Sequence, residues 1–358
     1  MRISVIHPRE LDDELVGKWR QFLSTGPLPD SAFLTPEFAI AVGHHRPDAR
    51  IGVIEDAGEM VGFFPYQSRP GGFGRALAFG INDFQAIIAS PHQDIDLIEL
   101  LKGCRLLRWR FDHLLGSALL GKGESGESHV SPVIDLHSGF HRYSEAQAAS
   151  SAGFKRAQRK HDRFTQAHSG TWSFRWNSLD PSTMGRLLEL KSEQCKASGS
   201  HDYTTHRWLR SLLEELSALN GEFLAGVQSE LRVGGELVAM QFGLRTRSRL
   251  HWWFPAYEPS WGRWSPGLSM LLETIKASSE HGLTCVDLGK DLSRYKQEFM
   301  NDALYVREGT AHASPWGDLA THVGVRLRQA DKKSGLFSGL LRPVAGLARR
   351  LSRRLRYV

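Results

Sequence analysis

His251, Glu258 and Asp287 are the side chains of this sequence best placed to take up a proton, and all three fall between Arg249 and Phe299. An imidazole or a carboxylate in reach of a substrate proton can act as a general base. Each also has a plain structural use. Asp287 ends a short β-prone run, Leu283 to Leu288, and is equally suited to orienting the Gly289 turn that follows. His251 alternates with Trp252, so one of the two faces a core, where a hydrogen-bonded structural histidine is at home. The same stretch holds Ser265-Pro266-Gly267, a helix-start signature with Ser265 as cap and Pro266 in the first helical position. A helix start presents unsatisfied N–H groups at the positive end of the helix dipole and can hold phosphate oxygens.

The elements that position these groups are legible around them. Leu250 to Phe254 is aromatic and apolar and predicts a strand, which Pro255 should loosen by removing a donor. Leu268, Leu271, Leu272 and Ile275 share one helical stripe, and Gly282 ends that helix. Leu283 to Leu288 predicts a second strand, followed by a polar loop. An ordinary strand–helix–strand crossover would read the same way. Trp252, Trp253, Tyr257, Trp261 and Trp264 make the region densely aromatic. The two strand tryptophans suit a core or the face of a sugar ring. Trp261 and Trp264 lie in a polar loop, where large rings signal ligand contact.

Tyr257-Glu-Pro259, Ser265-Pro-Gly267, Asp287-Leu-Gly289 and then Tyr295-Lys296 together resemble the acyltransferases of the GNAT superfamily related to the FemAB peptidoglycan transferases, a group associated with cellulose or exopolysaccharide biosynthesis. The resemblance is strongest from about Lys191 to Gly309 and weaker over the first half. It implies acyl transfer from a thioester, with acetyl-CoA or another acyl-CoA as donor. The cofactor phosphates would be held at Gly262, Arg263, Trp264, Ser265, Gly267 and Leu268, although only the glycines loosely match the usual Gln/Arg-x-x-Gly-x-Gly/Ala pattern. A backbone N–H near Trp253 or Phe254 would polarise the carbonyl. Asp287 matches the family acid, and Tyr295 stands where many relatives place a tyrosine that protonates the thiolate. Lys296 would bind phosphate or a sugar acid, with Tyr257, Glu258 and Trp261 toward the substrate. A buried tyrosine with its lysine reaching outward would leave the same pair. Relatives usually carry a second glycine where this chain has Asp291.

The chain has 358 residues, 41% apolar and 23% charged, which suggests two domains or one duplicated domain. Gly58-Glu-Met-Val-Gly62 and Gly235-Glu-Leu-Val-Ala239 each follow helices and open a hairpin, so the halves read as repeats. Expected strands and helices of the first half include Ile51–Glu55, Met60–Gln67, Ala76–Phe79, Phe84–Ile88 and Asp94–Lys102; Gly121–Gly126 reads as a linker. The expected fold is α/β with α+β mixed sheets, as tandem GNAT-like domains at 1–145 and 146–314 and a basic tail at 315–358. Phe154–Phe164 is a basic helix, either a solvated face or a contact to an anionic group of cofactor or acceptor. From Arg326 to Val358 there are ten Lys/Arg and one Asp, while the other 325 residues hold 35 basic and 38 acidic. The positive charge therefore sits in the tail, and no nucleic-acid partner is expected. Val344, Leu347, Leu351 and Leu355 form one stripe, as in a segment lying on an anionic membrane surface; a disordered basic tail reads equally well.

Cys104, Cys195 and Cys285 are scattered, which suits reduced thiols, and no Cys/His spacing resembles a metal site. No apolar run approaches the ~20 residues of a spanning helix, and the first residues carry no signal-peptide core. A cytoplasmic enzyme is expected, peripheral on the inner face of the plasma membrane through its tail. Its acceptor would be an amine or hydroxyl of a sugar or lipid-linked glycan precursor. The alternatives are a FemAB-like aminoacyl transferase using charged tRNA and a non-catalytic glycan-binding protein.

Overall fold

Two hairpins turned by left-handed residues set the strand order of this chain. The computed structural model describes residues 1–91, 93–116, 125–178, 180–199 and 201–314. They pack as two units. One holds Met1–Pro29, Val42–Ser128 and the described residues from Val306; the other holds Asp30–Ala41 and His129–Tyr305. The tail at 315–358 and residues 121–124 of the expected linker lie outside the described residues.

The first unit contains β1 (Arg2–Ile6), α1 (Asp13–Thr25), β2 (Ala49–Asp56), β3 (Glu59–Arg69), β4 (Phe73–Ala76), β5 (Ile88–Ala89), α3 (Leu97–Gly103), β6 (Arg108–Leu114) and the end of β13 (Asp302–His312). Between α1 and β2, α2 (Pro36–His45) begins in the second unit and ends in the first. The strand order is β1-β2-β3-β4-β6-β13, with β5 on β3 and a parallel pair at β4–β6. Phe64, Tyr66, Trp109, Phe111, Leu100 and Leu101 fill the core. Ala57 and Gly58 turn the β2–β3 hairpin with φ of 50° and 87°, the left-handed pair that matches strand twist. The strands expected at Ala76–Phe79 and Phe84–Ile88 do not form; β4 ends at Ala76 and β5 begins at Ile88. Ala78 and Gly80 have positive φ, and the Asn82 side chain bonds Leu77 O (3.1 Å) and the Phe84 N–H (2.8 Å), so the segment turns and leaves the ladder.

The second unit contains β7 (Ser125–Asp135) from His129 onward, α4 (Gly139–Ser150), α5 (Ala152–Ala167), β8 (Trp172–Arg175), α6 (Pro181–Ala197), α7 (Arg207–Ala218), β9 (Ala225–Val233), β10 (Glu236–Arg245), β11 (Arg249–Tyr257), α8 (Pro266–Glu280), β12 (Cys285–Asp287) and α9 (Arg294–Phe299). Its strands run β7-β12-β11-β10-β9-β8, with one parallel pair, β11–β12. Gly234 and Gly235 turn the β9–β10 hairpin with φ of 58° and 85°, the counterpart of the β2–β3 turn. α8 buries Met270, Leu271, Leu272 and Ile275 against the sheet, and Gly282 takes φ 78° after it. The polar loop expected to carry Tyr295 closes into the short α9.

The β11–β12 ladder pairs Arg249 with Cys285, Leu250 with Val286 and His251 with Asp287, and then ends. β11 continues to Tyr257 along β10, in register through Pro255 opposite Gln241. Pro255 therefore ends no strand; the ladder it was expected to loosen has already opened four residues earlier. At the opening β11 carries a bulge, Trp252-Trp253 opposite Gly243. A Cβ on Gly243 would meet the His251 carbonyl at 2.3 Å, so the bulge requires glycine there. Gly243→Ala should destabilise the protein by about 2 kcal/mol or more, read as a lower denaturation midpoint by tryptophan fluorescence. Parental stability in this variant would show that the bulge tolerates a side chain.

Candidate functional site

Beyond the last β11–β12 pair, a cavity of about 320 Å³ opens between β11 and the start of α8. Trp252, Pro255, Ala256 and Tyr257 line it from β11, and Gly267, Leu268, Met270 and Leu271 from α8. Gly262 and Ser265 border it from the turn before α8, Tyr295 from α9, Met240 from β10 and Gln194 from α6. Of the residues singled out in sequence, Tyr257, Gly262, Ser265, Gly267, Leu268 and Tyr295 thus meet at one cavity. Trp252, one of the two strand tryptophans that suited either a core or a sugar face, also lines it. Met240, Met270 and Leu271 were not singled out as ligand contacts, because apolar residues on a helix stripe or strand read as core, and nothing in the sequence marked Gln194. The walls are mainly apolar, as in pockets that enclose a ligand and orient it with few polar groups.

The helix start is built differently from the sequence expectation. Ser265 does precede Pro266, but it adopts φ 55° and its side chain caps nothing. Its hydroxyl instead accepts a hydrogen bond from Lys160 Nζ at 3.0 Å. Pro266 has no N–H, and that of Leu268 goes to Ser265 O (3.0 Å). The Gly267 N–H has no acceptor among the described residues. A Cβ at Gly267 would lie 3.5 Å from the Tyr257 ring. On α5, Phe154, Ala157 and Phe164 face inward, and Lys155, Arg156, Arg159, Lys160 and Arg163 are exposed. Lys160 joins this cationic ridge to the α8 start.

The remaining candidates occupy other places. Trp253 packs on Phe33 (5.1 Å between centroids) and on Phe254 (4.5 Å). Trp261 donates its indole N–H to Glu236 (2.9 Å), and both Trp261 and Trp264 pack edge-on against His168. The Arg263 guanidinium lies over Trp264. Glu258 is held by a two-pronged pair with Arg186, at 2.6 and 2.8 Å. Lys296 Nζ donates to the carbonyls of Gly289 and Lys290, 2.9 Å each. Asp291 takes φ 78°, so an aspartate holds a left-handed backbone position.

Asp287 and His251 meet at the root of the fork and are fully enclosed. Asp287 accepts from the Gly289 N–H at 2.8 Å and pairs with Arg249 at 3.2 Å, and its Oδ1 lies 4.0 Å from His251 Nδ1. His251 Nε2 is 2.9 Å from Ser31 Oγ. Asp30, next in the chain, accepts from the Thr246 hydroxyl (2.7 Å) and from the Ser248 hydroxyl (2.6 Å) and N–H (3.1 Å). Burial pushes the Asp287 carboxyl up, against the opposing pull of Arg249. Burial, and then Arg249, hold the His251 imidazole well below its ordinary value of 6.5.

Residues 151–297 match the model of the acetyltransferase (GNAT) domain. No curated protein matches the chain by sequence. Among solved structures the chain is similar to the C-terminal domain of a putative lysylphosphatidylglycerol synthetase from Agrobacterium fabrum, at 12% identity and TM-score 0.53, covering 87% of this chain and 96% of that one. It is similar to FemX at 10% identity and TM-score 0.55, covering 87% and 96%. A tandem GNAT protein from the clavulanic acid biosynthesis pathway aligns at 11% identity and TM-score 0.50, over 88% and 99%. At such identities the likeness carries the fold, which is a tandem GNAT fold of mixed α/β units.

The neutral state of His251 has a measurable consequence. Below pH 6.5 the unfolded chain binds a proton at this residue and the folded chain does not, so stability falls as pH falls. The expected slope is about 1.4 kcal/mol per pH unit. Comparing His251→Gln with the parent cancels the contribution of Asp287. The difference in denaturation midpoint should shrink as pH drops from 6.5. A difference independent of pH would mean that the folded protein charges His251 freely.

Proposed function

We propose that this chain is an acyl-CoA-dependent acyltransferase whose second unit carries the chemistry. The observation that carries the reading is the open fork. An apolar cavity lies along β11 beyond the end of its pairing with β12 and ends at the Gly267 amide of a helix start. A thioester donor has a long, mostly uncharged arm and a phosphate end, and these two surfaces suit it. Gly267 and Leu268, with Lys160 and Arg263 nearby, would hold phosphate oxygens. Backbone N–H groups near Trp253 or Phe254 would polarise the acyl carbonyl. Tyr295, at the cavity wall, would protonate the departing thiolate.

The acceptor in this reading is an amine or hydroxyl of a sugar or lipid-linked glycan precursor. The aromatic walls of Trp252, Tyr257 and Tyr295 support a sugar, whose apolar face packs on such rings. The basic amphipathic sequence from Val344 to Leu355 supports attachment to an anionic membrane surface. No helix among the described residues is long and apolar enough to cross a membrane. Charged tRNA is the second reading for the donor, and the exposed cationic ridge of α5 favours it.

Calorimetric titration with acetyl-CoA and with free coenzyme A tests the donor. Binding in the micromolar range should be lost in Gly267→Trp, because the indole would fill the cavity against Tyr257. Well-folded protein that binds neither compound would eliminate coenzyme A and bring charged tRNA and simple glycan binding forward. In a turnover assay Tyr295→Phe should slow acyl transfer about 10²-fold with acceptor affinity unchanged. An unaltered rate would remove Tyr295 from the mechanism.

A further inference from the structure

Leu107 and Phe73 stand at one end of the first unit's sheet, 66% and 39% exposed. Two loops bring them there. One ends α3, where the Arg105 N–H bonds Lys102 O (2.9 Å) and the Leu106 N–H bonds Leu101 O (2.8 Å). In this helix-ending motif the left-handed position ordinarily falls to glycine, and here Arg105 holds it with φ 55°. The motif tucks Leu106 into the core and leaves Leu107 outside. The other loop is the β3–β4 turn, Pro70-Gly71-Gly72. The Leu107 N–H bonds Gly72 O at 2.7 Å. A Cβ on Gly72 would meet Leu107 Cγ at 2.9 Å, and one on Gly71 would meet the Phe73 ring at 3.2 Å. Both side chains therefore rest on the same two-glycine turn.

Cations surround this apolar tip. Lys102, Arg105 and Arg108 are exposed and make no ion pair among the described residues. The Arg108 guanidinium lies over the Phe73 ring, 3.9 Å from its centroid. Arg69 ends β3 beside the turn. Neither Tyr66–Ala76 nor Leu101–Phe111 contains an Asp or Glu. Asp48 and Glu308, which reach these strands from elsewhere, are already paired with Arg46, Arg69 and Arg110.

Exposed apolar side chains ringed by cations, with no acid among them, complement an anionic membrane. The tip would enter the boundary between headgroups and acyl chains, and the cations would meet lipid phosphates. The course of the chain points the same way. The Ala313 N–H bonds Leu107 O at 2.9 Å, so the described chain ends beside this tip. The sequence that follows carries ten Lys/Arg and one Asp from Arg326 onward. So basic a segment is repelled by the patch, and a second copy would set cation against cation. Anionic lipid attracts both the patch and the segment. We infer that the Phe73–Leu107 tip is a membrane-docking surface of the first unit, with Lys102, Arg105 and Arg108 on lipid phosphates. This surface is independent of the acyltransferase reading. It adds a second point of attachment to the tail sequence, and two linked points bind more tightly than either alone.

The native cysteines are buried, so one introduced surface thiol takes an environment-sensitive nitrobenzoxadiazole dye selectively. The dye goes on Leu107→Cys of the full chain and, as a control, on Glu59→Cys, exposed at the opposite end of β3, about 33 Å of strand away. Vesicles of mixed phosphatidylglycerol and phosphatidylcholine should shift the emission at position 107 to the blue and raise it about twofold or more. The dye at position 59 should not respond, and phosphatidylcholine alone should move neither. In sedimentation with the mixed vesicles, Phe73→Ser combined with Leu107→Ser should weaken binding about tenfold or more. Its denaturation midpoint should stay parental, because both positions are on the surface. A silent dye at position 107 on bound vesicles, or parental affinity in the double variant, overturns the docking tip and leaves attachment to the tail. A full chain that binds no vesicle overturns it as well, and one that binds tRNA instead reassigns these cations to a nucleic acid.

Discussion

The parallel ladder between β11 and β12 lasts three residue pairs, and the second unit is organised by where it stops. A continuing ladder would satisfy the backbone of β11 as far as Tyr257 and leave no room for a cavity. Two features end it. The bulge at Trp252-Trp253 re-aims β11, and Gly243 alone permits that approach to the His251 carbonyl. On the other side β12 gives way after Asp287, whose carboxylate turns back to bond the Gly289 N–H. The opening is therefore a built junction with its own side-chain support.

That support is polar and buried. Arg249, His251, Asp287, Ser131 and Ser31 lie at or near full burial around the last strand pair. A buried charge pair contributes little net stability beside an apolar core, but removal of one partner leaves an uncompensated group. Such a cluster holds one geometry more firmly than it stabilises the fold. Past it, Lys296 grips the carbonyls of Gly289 and Lys290, and the neighbouring residue, Tyr295, forms part of the cavity wall. Asp287 and Lys296 thus brace the same short loop from its two ends.

Local signals made much of this legible in the sequence. Pro266, Gly282 and the leucine stripe define α8, and the paired Gly-Glu turns mark the two hairpins. Side-chain partners were not legible, because they come from distant parts of the chain. Trp261 and Trp264 look like ligand contacts until His168, on the far side of the helical stretch, is seen to receive them. Ser265 reads as a cap until Lys160 takes its hydroxyl. The short strands of the first unit failed for a local reason, since left-handed Ala78 has no sequence signature.

The second unit is not one continuous piece of chain. Asp30–Ala41 belongs to it, and Ser31 reaches His251 across 220 residues of sequence. The first unit in turn takes back the chain from Val306, where Arg307 to His312 pairs with β6. On a ribosome, the early segment must wait for its partners until β11 has been made, and β6 must wait for β13. Neither unit can reach its final packing until most of the chain has been synthesised. The polypeptide is thereby woven into a single inheritable piece: recombination at any one point between the halves would strip the fork root of Ser31 or the first sheet of its last strand, so the tandem is not easily shuffled apart.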